Sequence, residues 1–234
     1  MATLVQQTAE LFADNAASIA PSITGVTAGN LVVMLVACSQ NTSNTALAAP
    51  SGWTLAASAT GPTSGTYRQC AAIFYKENAS AGAHSGTVTG YTGSYWAATI
   101  VEFSGPKTSG ALEGTNTNSG NGVTTGSTNS ASNTTANALV LAAICCSNDA
   151  GTMSGLSSPA SSGYTNIDGE LTDALHTGYQ FSYKNVSATA SQSASWTWTN
   201  NSGFGAAIAN FGDAGGGGTA VPVFLHNLQQ QGIA

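Results

Sequence analysis

The chain has 234 residues, of which only 6% are charged, and ten acidic and four basic residues give it a net charge of -6. So few basic side chains argue against nucleic-acid binding and against attachment to an anionic membrane, because both depend on clustered Lys and Arg. Hydrophobic residues make up 42% of the chain, and its polar residues are mainly Ser, Thr, Asn and Gly, a composition that predicts a folded, all-β protein.

The N-terminal segment lacks the features of a secretion signal. No basic start and no long apolar run follow Met1. The apolar runs, such as residues 31–38, are far shorter than the ~20 residues that span a bilayer. We therefore expect a protein with no signal peptide and no transmembrane segment, assembled in a cytoplasm.

The first half of the chain predicts a series of short strands. A less regular lead-in at residues 18–30 permits one or two strands, and an apolar strand follows from Leu31 to Cys38. Another strand begins near Trp53, one passes through Tyr75, and an alternating and a closing strand end at Phe103. Short strands separated by Gly, Ser, Asn and Pro are typical of a β-sandwich.

The second half of the chain repeats the first. The segment "TAGNLVVMLVACS", from Thr27, aligns with "TANALVLAAICCS", from Thr135, at an offset of 108 residues. Further matches at this offset are Tyr75 with Tyr183, Lys76 with Lys184, Ile100 with Ile208 and Phe103 with Phe211. Length differences fall between the aligned blocks, as expected of loops in two folded copies.

We therefore expect two tandem duplicated lobes, residues 1–106 and 107–213, each an antiparallel, jelly-roll-like β-sandwich. The alternative is one sandwich whose sheets are shared by both repeats. Each lobe is expected to have its own hydrophobic core, with Leu31, Val33, Ile100 and Phe103 in the first and Leu139, Leu141, Ile208 and Phe211 in the second.

Residues 214–234, a Gly-rich hinge and C-terminal arm, have no counterpart in the first repeat. The apolar residues of the arm are Val221, Val223, Phe224, Leu225 and Leu228. They are candidates for docking on a neighbouring subunit; a last strand of the second lobe and an unstructured tail are the alternatives.

The four cysteines, Cys38, Cys70, Cys145 and Cys146, are too few for a disulfide framework in a chain of this length. We expect buried thiols, because Cys38 and Cys146 lie in strongly apolar strands. A bridge such as Cys38 to Cys70 stays open. There is no C-x-x-C pair to suggest zinc, and we expect neither a metal nor a cofactor.

The sequence shows no catalytic motif. A G-x-S-x-G elbow, an H-E-x-x-H helix and a P-loop are all missing, so we expect no enzyme. His84 aligns with Gln192, which favours an exposed loop position over a catalytic base. The acidic segment 168–173 lacks the spacing of an EF-hand and is interpreted as a solvated loop.

Two aromatic residues are specific to one repeat. Tyr91 aligns with Thr199, and Trp198 aligns with Gly90. Other aromatic residues align with apolar equivalents, which suits core positions. Because aromatic rings stack on sugars, Tyr91 and Trp198 form a candidate exposed glycan patch.

Several segments together resemble a known group of domains. The segments are "GNLVVMLVAC", "SGWTLAAS", "AAIFYKEN" and "WAATIVEFSG". They are similar to β-sandwich domains of bacteriophage structural proteins and of some bacterial surface proteins, and the resemblance covers residues 28–213. Such domains serve as capsid decorations, tail components and adhesins, so the fold alone does not fix the function.

The resemblance implies a non-enzymatic virion structural protein, foremost a phage head decoration or surface fibre subunit. Its expected partners are identical subunits and a phage capsid or tail protein, and its expected location is the virion, assembled in the host cytoplasm. The alternative is a carbohydrate-binding module or adhesin that uses exposed aromatic residues on a host glycan.

Overall fold

The computed structural model describes residues 1–41, 46–62, 67–147, 154–158, 160–172 and 177–215. These residues form fifteen β-strands. All their pairings are antiparallel. The prediction of an all-β fold is confirmed.

The first repeat contains eight strands. They are β1 (Thr3–Gln7), β2 (Leu11–Ile19), β3 (Ser22–Val26), β4 (Leu31–Asn41), β5 (Thr54–Thr60), β6 (Tyr67–Lys76), β7 (Gly82–Ser85) and β8 (Val88–Ser104). The first main sheet has the order β1-β8-β4-β6-β5, and β2 also pairs with β8. Strands β3 and β7 form a separate two-stranded sheet.

The second repeat contains seven strands. They are β9 (Leu112–Ser127), β10 (Ala131–Ser132), β11 (Ala138–Ser147), β12 (Thr165–Thr172), β13 (Thr177–Val186), β14 (Ser191–Gln192) and β15 (Ser195–Gly212). The second main sheet has the order β9-β15-β11-β13-β12, and β10 pairs with β14. This is the order of the first sheet, with β9 in place of β1 and β2.

The strand register also repeats at the offset found in the sequence. Leu31 lies opposite Phe103 as Leu139 lies opposite Phe211. The same correspondence relates the pair Val33–Tyr75 to the pair Leu141–Tyr183. The two halves therefore share one topology and one register, while their descent from a duplicated unit stays a prediction.

The two main sheets enclose a central core. Inward-facing residues of both sheets belong to it, among them Leu31, Val33, Leu35, Ile73, Val101, Phe103, Leu139, Leu141, Phe181 and Phe211. Two edge-to-face aromatic pairs cross this core, Phe103 with Tyr183 and Tyr75 with Phe211, each with ring centroids 5.3 Å apart. Each pair joins one repeat to the other.

A second, outer core lies on the far face of each main sheet. Because successive side chains point to opposite faces, the residues of β4 between those of the central core, such as Val32 and Met34, belong to the outer core. Ile23 and Val26 of β3 cover that core in the first repeat, and Ala131 of β10 contributes in the second. Burial on both faces explains the continuous apolar run in β4.

The expectation of one separate core for each lobe is wrong for six of the eight residues named for it. Six of the residues named for it lie in the central core shared by both repeats: Leu31, Val33, Phe103, Leu139, Leu141 and Phe211. Ile100 and Ile208 face outward, each in the core of its own repeat. Each main sheet is built by one repeat alone. What the two repeats share is the central core between the two sheets.

Candidate functional site

The structure contradicts the exposed position expected for Trp198. The residue is 4% exposed, its ring packs edge-on against Phe204, and its Nε1 donates to the carbonyl oxygen of Val123 at 2.8 Å. The prediction is wrong because alternation along β15 directs Trp198 to the same buried face as Trp196. The side chain of Tyr91 lies outside the described residues.

The predicted docking residues, Val221, Val223, Phe224, Leu225 and Leu228, lie outside the described residues, so their role stays a prediction. The segment from which the arm departs is described. The amide of Asp213 donates to the carbonyl oxygen of Asn137 at 2.9 Å, and that of Ala214 donates to Gly105 at 2.8 Å. Gly215 follows and is exposed. The arm therefore starts from a fixed point on the surface.

The four cysteines are free thiols, and all are buried, which confirms that expectation. Cys38 and Cys70 lie opposite each other on β4 and β6. Burial raises the pKa of the Cys70 thiol to about 11, and it also raises the pKa of Cys145 well above its ordinary value. The thiols are therefore protonated at neutral pH, which makes them poor nucleophiles and metal ligands.

A buried carboxylate stabilises the edge of the first main sheet by accepting several hydrogen bonds. Glu102 on β8 is fully buried, and its carboxylate accepts hydrogen bonds from Gln6 Nε2 at 2.6 Å, Thr27 N at 2.9 Å and Asn30 Nδ2 at 2.5 Å. Burial alone would raise the pKa of Glu102, but these hydrogen bonds outweigh it and lower the pKa. Glu102 thus remains ionised and links β1, β8 and the turn before β4.

In the second repeat, a carboxylate on a different strand holds the equivalent turn by hydrogen bonds. Glu113 on β9 accepts the amide hydrogens of Thr134 and Thr135, each at 2.9 Å, and forms an ion pair of 2.6 Å with Lys107. Thr135 is the counterpart of Thr27, whereas the counterpart of Glu102 is Asn210. The carboxylate has therefore moved to the neighbouring strand. The sequence analysis did not predict either of these hydrogen-bonded carboxylates. The alignment of Glu102 with Asn210 was the one sign of them in the sequence.

These two carboxylates predict a loss of stability in acid. At both Glu102 and Glu113, burial raises the pKa but hydrogen bonds to the carboxylate outweigh it. The pKa of each is therefore lowered in the folded protein. Their contribution is therefore complete above the unfolded pKa of about 4.3 and is lost as the pH falls through the folded pKa. We expect urea denaturation to show a free energy of unfolding that these carboxylates leave unchanged down to about pH 5 and that falls from there to pH 3.

Glu102→Gln tests this assignment. The variant should be less stable than the wild type by about 1.5–3 kcal/mol near neutral pH, because hydrogen bonds to a charged acceptor are replaced. The difference should shrink in acid, where the wild-type carboxyl is itself protonated. An equal difference at pH 6 and pH 3 would contradict the ionised state of Glu102.

An open pocket of about 320 Å³ lies beside the end of β6 in the first repeat. It is lined by Gly52, Thr54, Tyr75, Lys76, Glu77, Asn78, Ala79, Ser80 and His84. The Lys76 ammonium lies 4.7 Å from the ring centroid of Trp53 and 3.4 Å from His84 Nδ1. The other ring nitrogen of His84, Nε2, is 2.8 Å from the carbonyl oxygen of Ser80, a contact that requires Nε2 to carry the hydrogen. Nδ1 is then free to accept from Lys76.

The expectation of an exposed His84 is wrong, since it is 7% exposed. The hydrogen bonds to Ser80 and Lys76 hold its ring against the protein at the wall of this pocket. Gln192, at the aligned position, is also buried. An exchange of His for Gln between aligned positions therefore does not distinguish an exposed loop from a buried polar position.

The second repeat keeps the Lys–aromatic contact of this pocket. Lys184 lies 4.5 Å from the ring centroid of Tyr164. The polar tips of the two aromatic residues also correspond: Trp53 Nε1 donates to the carbonyl oxygen of Ser85 at 2.9 Å, and Tyr164 OH donates to that of Ser193 at 3.1 Å. The contact is therefore part of the framework of both repeats, and the histidine is specific to the first.

A wider groove of about 460 Å³ follows the edge of the first main sheet, between residues 6–11 and 20–24. Exposed apolar side chains lie along the same edge: Val5 is 47% exposed, Leu11 38% and Phe12 37%. We call the exposed side of β1 and β2 the β1–β2 edge. Its apolar side chains make it a candidate contact surface.

Among the described residues, no three or more His, Cys, Asp or Glu side chains are grouped so that they could hold a metal ion. The part of the chain that the structure describes has no helix with the length and apolar character needed to cross a membrane. Comparison of the chain with protein-family models, with curated proteins and with solved structures found no match.

Proposed function

We propose that this chain is a non-enzymatic structural protein of a virion, a head decoration or surface fibre subunit that assembles with identical copies on a phage capsid or tail. The segments that resemble phage structural domains support the virion setting. The exposed apolar side chains of the β1–β2 edge are the observation that supports association between copies. The C-terminal arm of a neighbouring copy is the proposed occupant of this edge.

The β1–β2 edge lacks the Lys and Pro residues that protect many edge strands, although Asp14 and irregular pairing in both strands interrupt it. Natural proteins commonly place Lys or Pro on such strands to prevent pairing with another chain. Neither residue occurs in Thr3–Gln7 or Leu11–Ile19. Val5, Leu11 and Phe12 instead expose apolar surface there, and burial of a large apolar side chain contributes roughly 1.5–3 kcal/mol before ordering costs.

The arm has the composition and the reach to cover such an edge on another copy. It departs from the fixed, exposed segment at Ala214 and Gly215. Leu228 lies thirteen residues beyond Gly215, a length of chain that extends at most about 45 Å. High local concentration on a virion surface would lower the cost of docking.

The carbohydrate-binding alternative loses support at Trp198, because a sugar cannot stack on a ring that is already packed against Phe204. The low charge of the chain fits assembly better. Repetitive contacts between identical copies do not depend on opposite charges, and few like charges oppose close packing.

Truncation after Gly215 tests the assembly proposal. We expect both repeats to remain folded with near-native melting, because every strand of the described core precedes that point. We expect the mass measured by light scattering to fall towards that of the monomer. Loss of melting cooperativity together with retained association would identify the arm as a final strand instead.

Two full-length variants separate the arm from the surface that receives it. One replaces Val223, Phe224 and Leu225 by Ser, and the other replaces Leu11 and Phe12 by Ser. Each should weaken association about as much as truncation does. Leu55→Ser is the control, because Leu55 is an exposed apolar residue on β5, at the opposite edge of the same sheet. A wild-type chain that stays monomeric at high concentration would overturn the proposal.

A further inference from the structure

We propose that the pocket beside Lys76 binds a carboxylate ligand of the size of a small acid or an acidic monosaccharide. We call it the Lys76 pocket and define it by Gly52, Thr54, Lys76, Glu77, Ser80 and His84. The inference goes beyond the proposed structural role and does not depend on it, because the pocket belongs to a single repeat of a single chain.

The charge of Lys76 is only partly compensated. The described ion pairs join Lys107 to Glu113 and the N-terminal amino group to Asp213; none includes Lys76. Glu77 lines the same pocket, but its Oε2 accepts the amide hydrogen of Ala111 at 2.8 Å. Burial lowers the pKa of Lys76, as expected for an ammonium group that loses water without gaining an anion.

The geometry directs this ammonium group towards a ligand. Trp53 supports it from one side and His84 Nδ1 accepts one of its hydrogens. An ammonium group has three donors, so others remain for an acceptor in the pocket. Thr54 and Ser80 add polar groups to the wall, and about 320 Å³ is at the small end of the range for ligand pockets.

A carboxylate suits this pocket better than a phosphate or a neutral sugar. One Lys balances one negative charge, and the nearby Glu77 would repel a dianion more strongly. Phosphate sites usually add Arg or a row of backbone amides to a Lys, whereas no Arg lines this pocket. A neutral sugar would need an open aromatic face, and Lys76 already occupies the face of Trp53.

The second repeat supplies a matched control. Lys184 lies over Tyr164 as Lys76 lies over Trp53. The histidine position there is Gln192, so the second contact reproduces the Lys and the ring without the imidazole. Lys76→Met and Lys184→Met each remove an ammonium group and keep an apolar chain over the ring, and only the first should affect binding.

The experiment is an NMR titration of the full chain with sodium glucuronate, sodium acetate and glucose, at constant ionic strength set with sodium chloride. We expect saturable shifts at Gly52, Lys76 and His84 with glucuronate, with millimolar affinity, and none with glucose. Lys76→Met should weaken binding at least tenfold and Lys184→Met should not change it. Glu77→Gln should strengthen it several-fold, since the like charge is removed while an oxygen still accepts from Ala111.

Glucuronate and acetate distinguish the two possible sources of the ligand. Tighter binding of glucuronate than of acetate assigns the pocket to acidic sugars, and equal affinity assigns it to small acids. Equal weakening by both Lys→Met variants, or an unchanged affinity in Glu77→Gln, would overturn the proposal, as would identical shifts with chloride alone. Melting curves of each variant verify folding, and failure here leaves the self-association test of the arm unaffected.

Discussion

Phe211→Ala is expected to lower the free energy of unfolding by about 3–5 kcal/mol, because it leaves a cavity where an aromatic ring was fully buried. The ring of Phe211 contacts Tyr75 of the other repeat across the central core. The loss should therefore appear in a single cooperative transition and not as early melting of one repeat. Phe103→Ala should behave in the same way, since Phe103 contacts Tyr183.

Leu55→Ala is the control for these variants. It shortens an exposed apolar side chain on β5, away from the proposed docking surface, and should cost less than about 1 kcal/mol, as surface substitutions usually do. Urea denaturation of the three variants gives the comparison. Losses below about 1 kcal/mol at both Phe103 and Phe211 would contradict the central core, and two separate transitions would contradict its sharing by the repeats.

The elements of this fold follow closely from local sequence patterns. The apolar run from Leu31 to Cys38 predicted β4, and its unbroken character reflects a strand buried on both faces. The offset of 108 residues predicted which strands correspond, and the registers of Leu31–Phe103 and Leu139–Phe211 agree with it. Periodicity and repetition act within a strand or between its copies, so a single sequence contains them.

The packing partner of each face did not follow from those patterns. Alternation shows that Val33 and Met34 point to opposite sides of β4, but not which side meets the other repeat. The sharing of the central core depends on complementarity between two whole sheets, to which Tyr75, Phe103 and their counterparts contribute. That information is distributed over residues far apart in the chain, and no short window contains it.

The candidate sites were still harder to predict, because they depend on single contacts. Asn210 aligns with Glu102, but the carboxylate that accepts the equivalent amide hydrogen in the second repeat belongs to Glu113 on another strand. His84 was expected on an exposed loop, yet its ring is held by Lys76 and Ser80. Trp198 was expected to be exposed because its counterpart is Gly90. The alternation of side chains along β15, however, puts Trp198 on the same face as Trp196, which is buried.

The central core leads to the last prediction, that residues 1–106 expressed alone will not form a stable monomer. Separation from the second repeat would expose the inner face of the first sheet, including Leu31, Val33, Leu35 and Val101. Each such side chain contributes roughly 1.5–3 kcal/mol when buried, and most domains are stable by only about 5–15 kcal/mol.

We expect this fragment to be recovered as a dimer. In a symmetric pair of first repeats, Phe103 of each copy would meet Tyr75 of the other, as Phe103 meets Tyr183 and Phe211 meets Tyr75 in the full chain. Size-exclusion chromatography with light scattering measures the mass, and Val33→Asp, which places a charge on the inner face, should abolish the dimer. Leu55→Asp, at an exposed position of the same sheet, should leave it intact. A monomeric fragment that melts cooperatively near the temperature of the full chain would show that the first repeat is stable without the shared core.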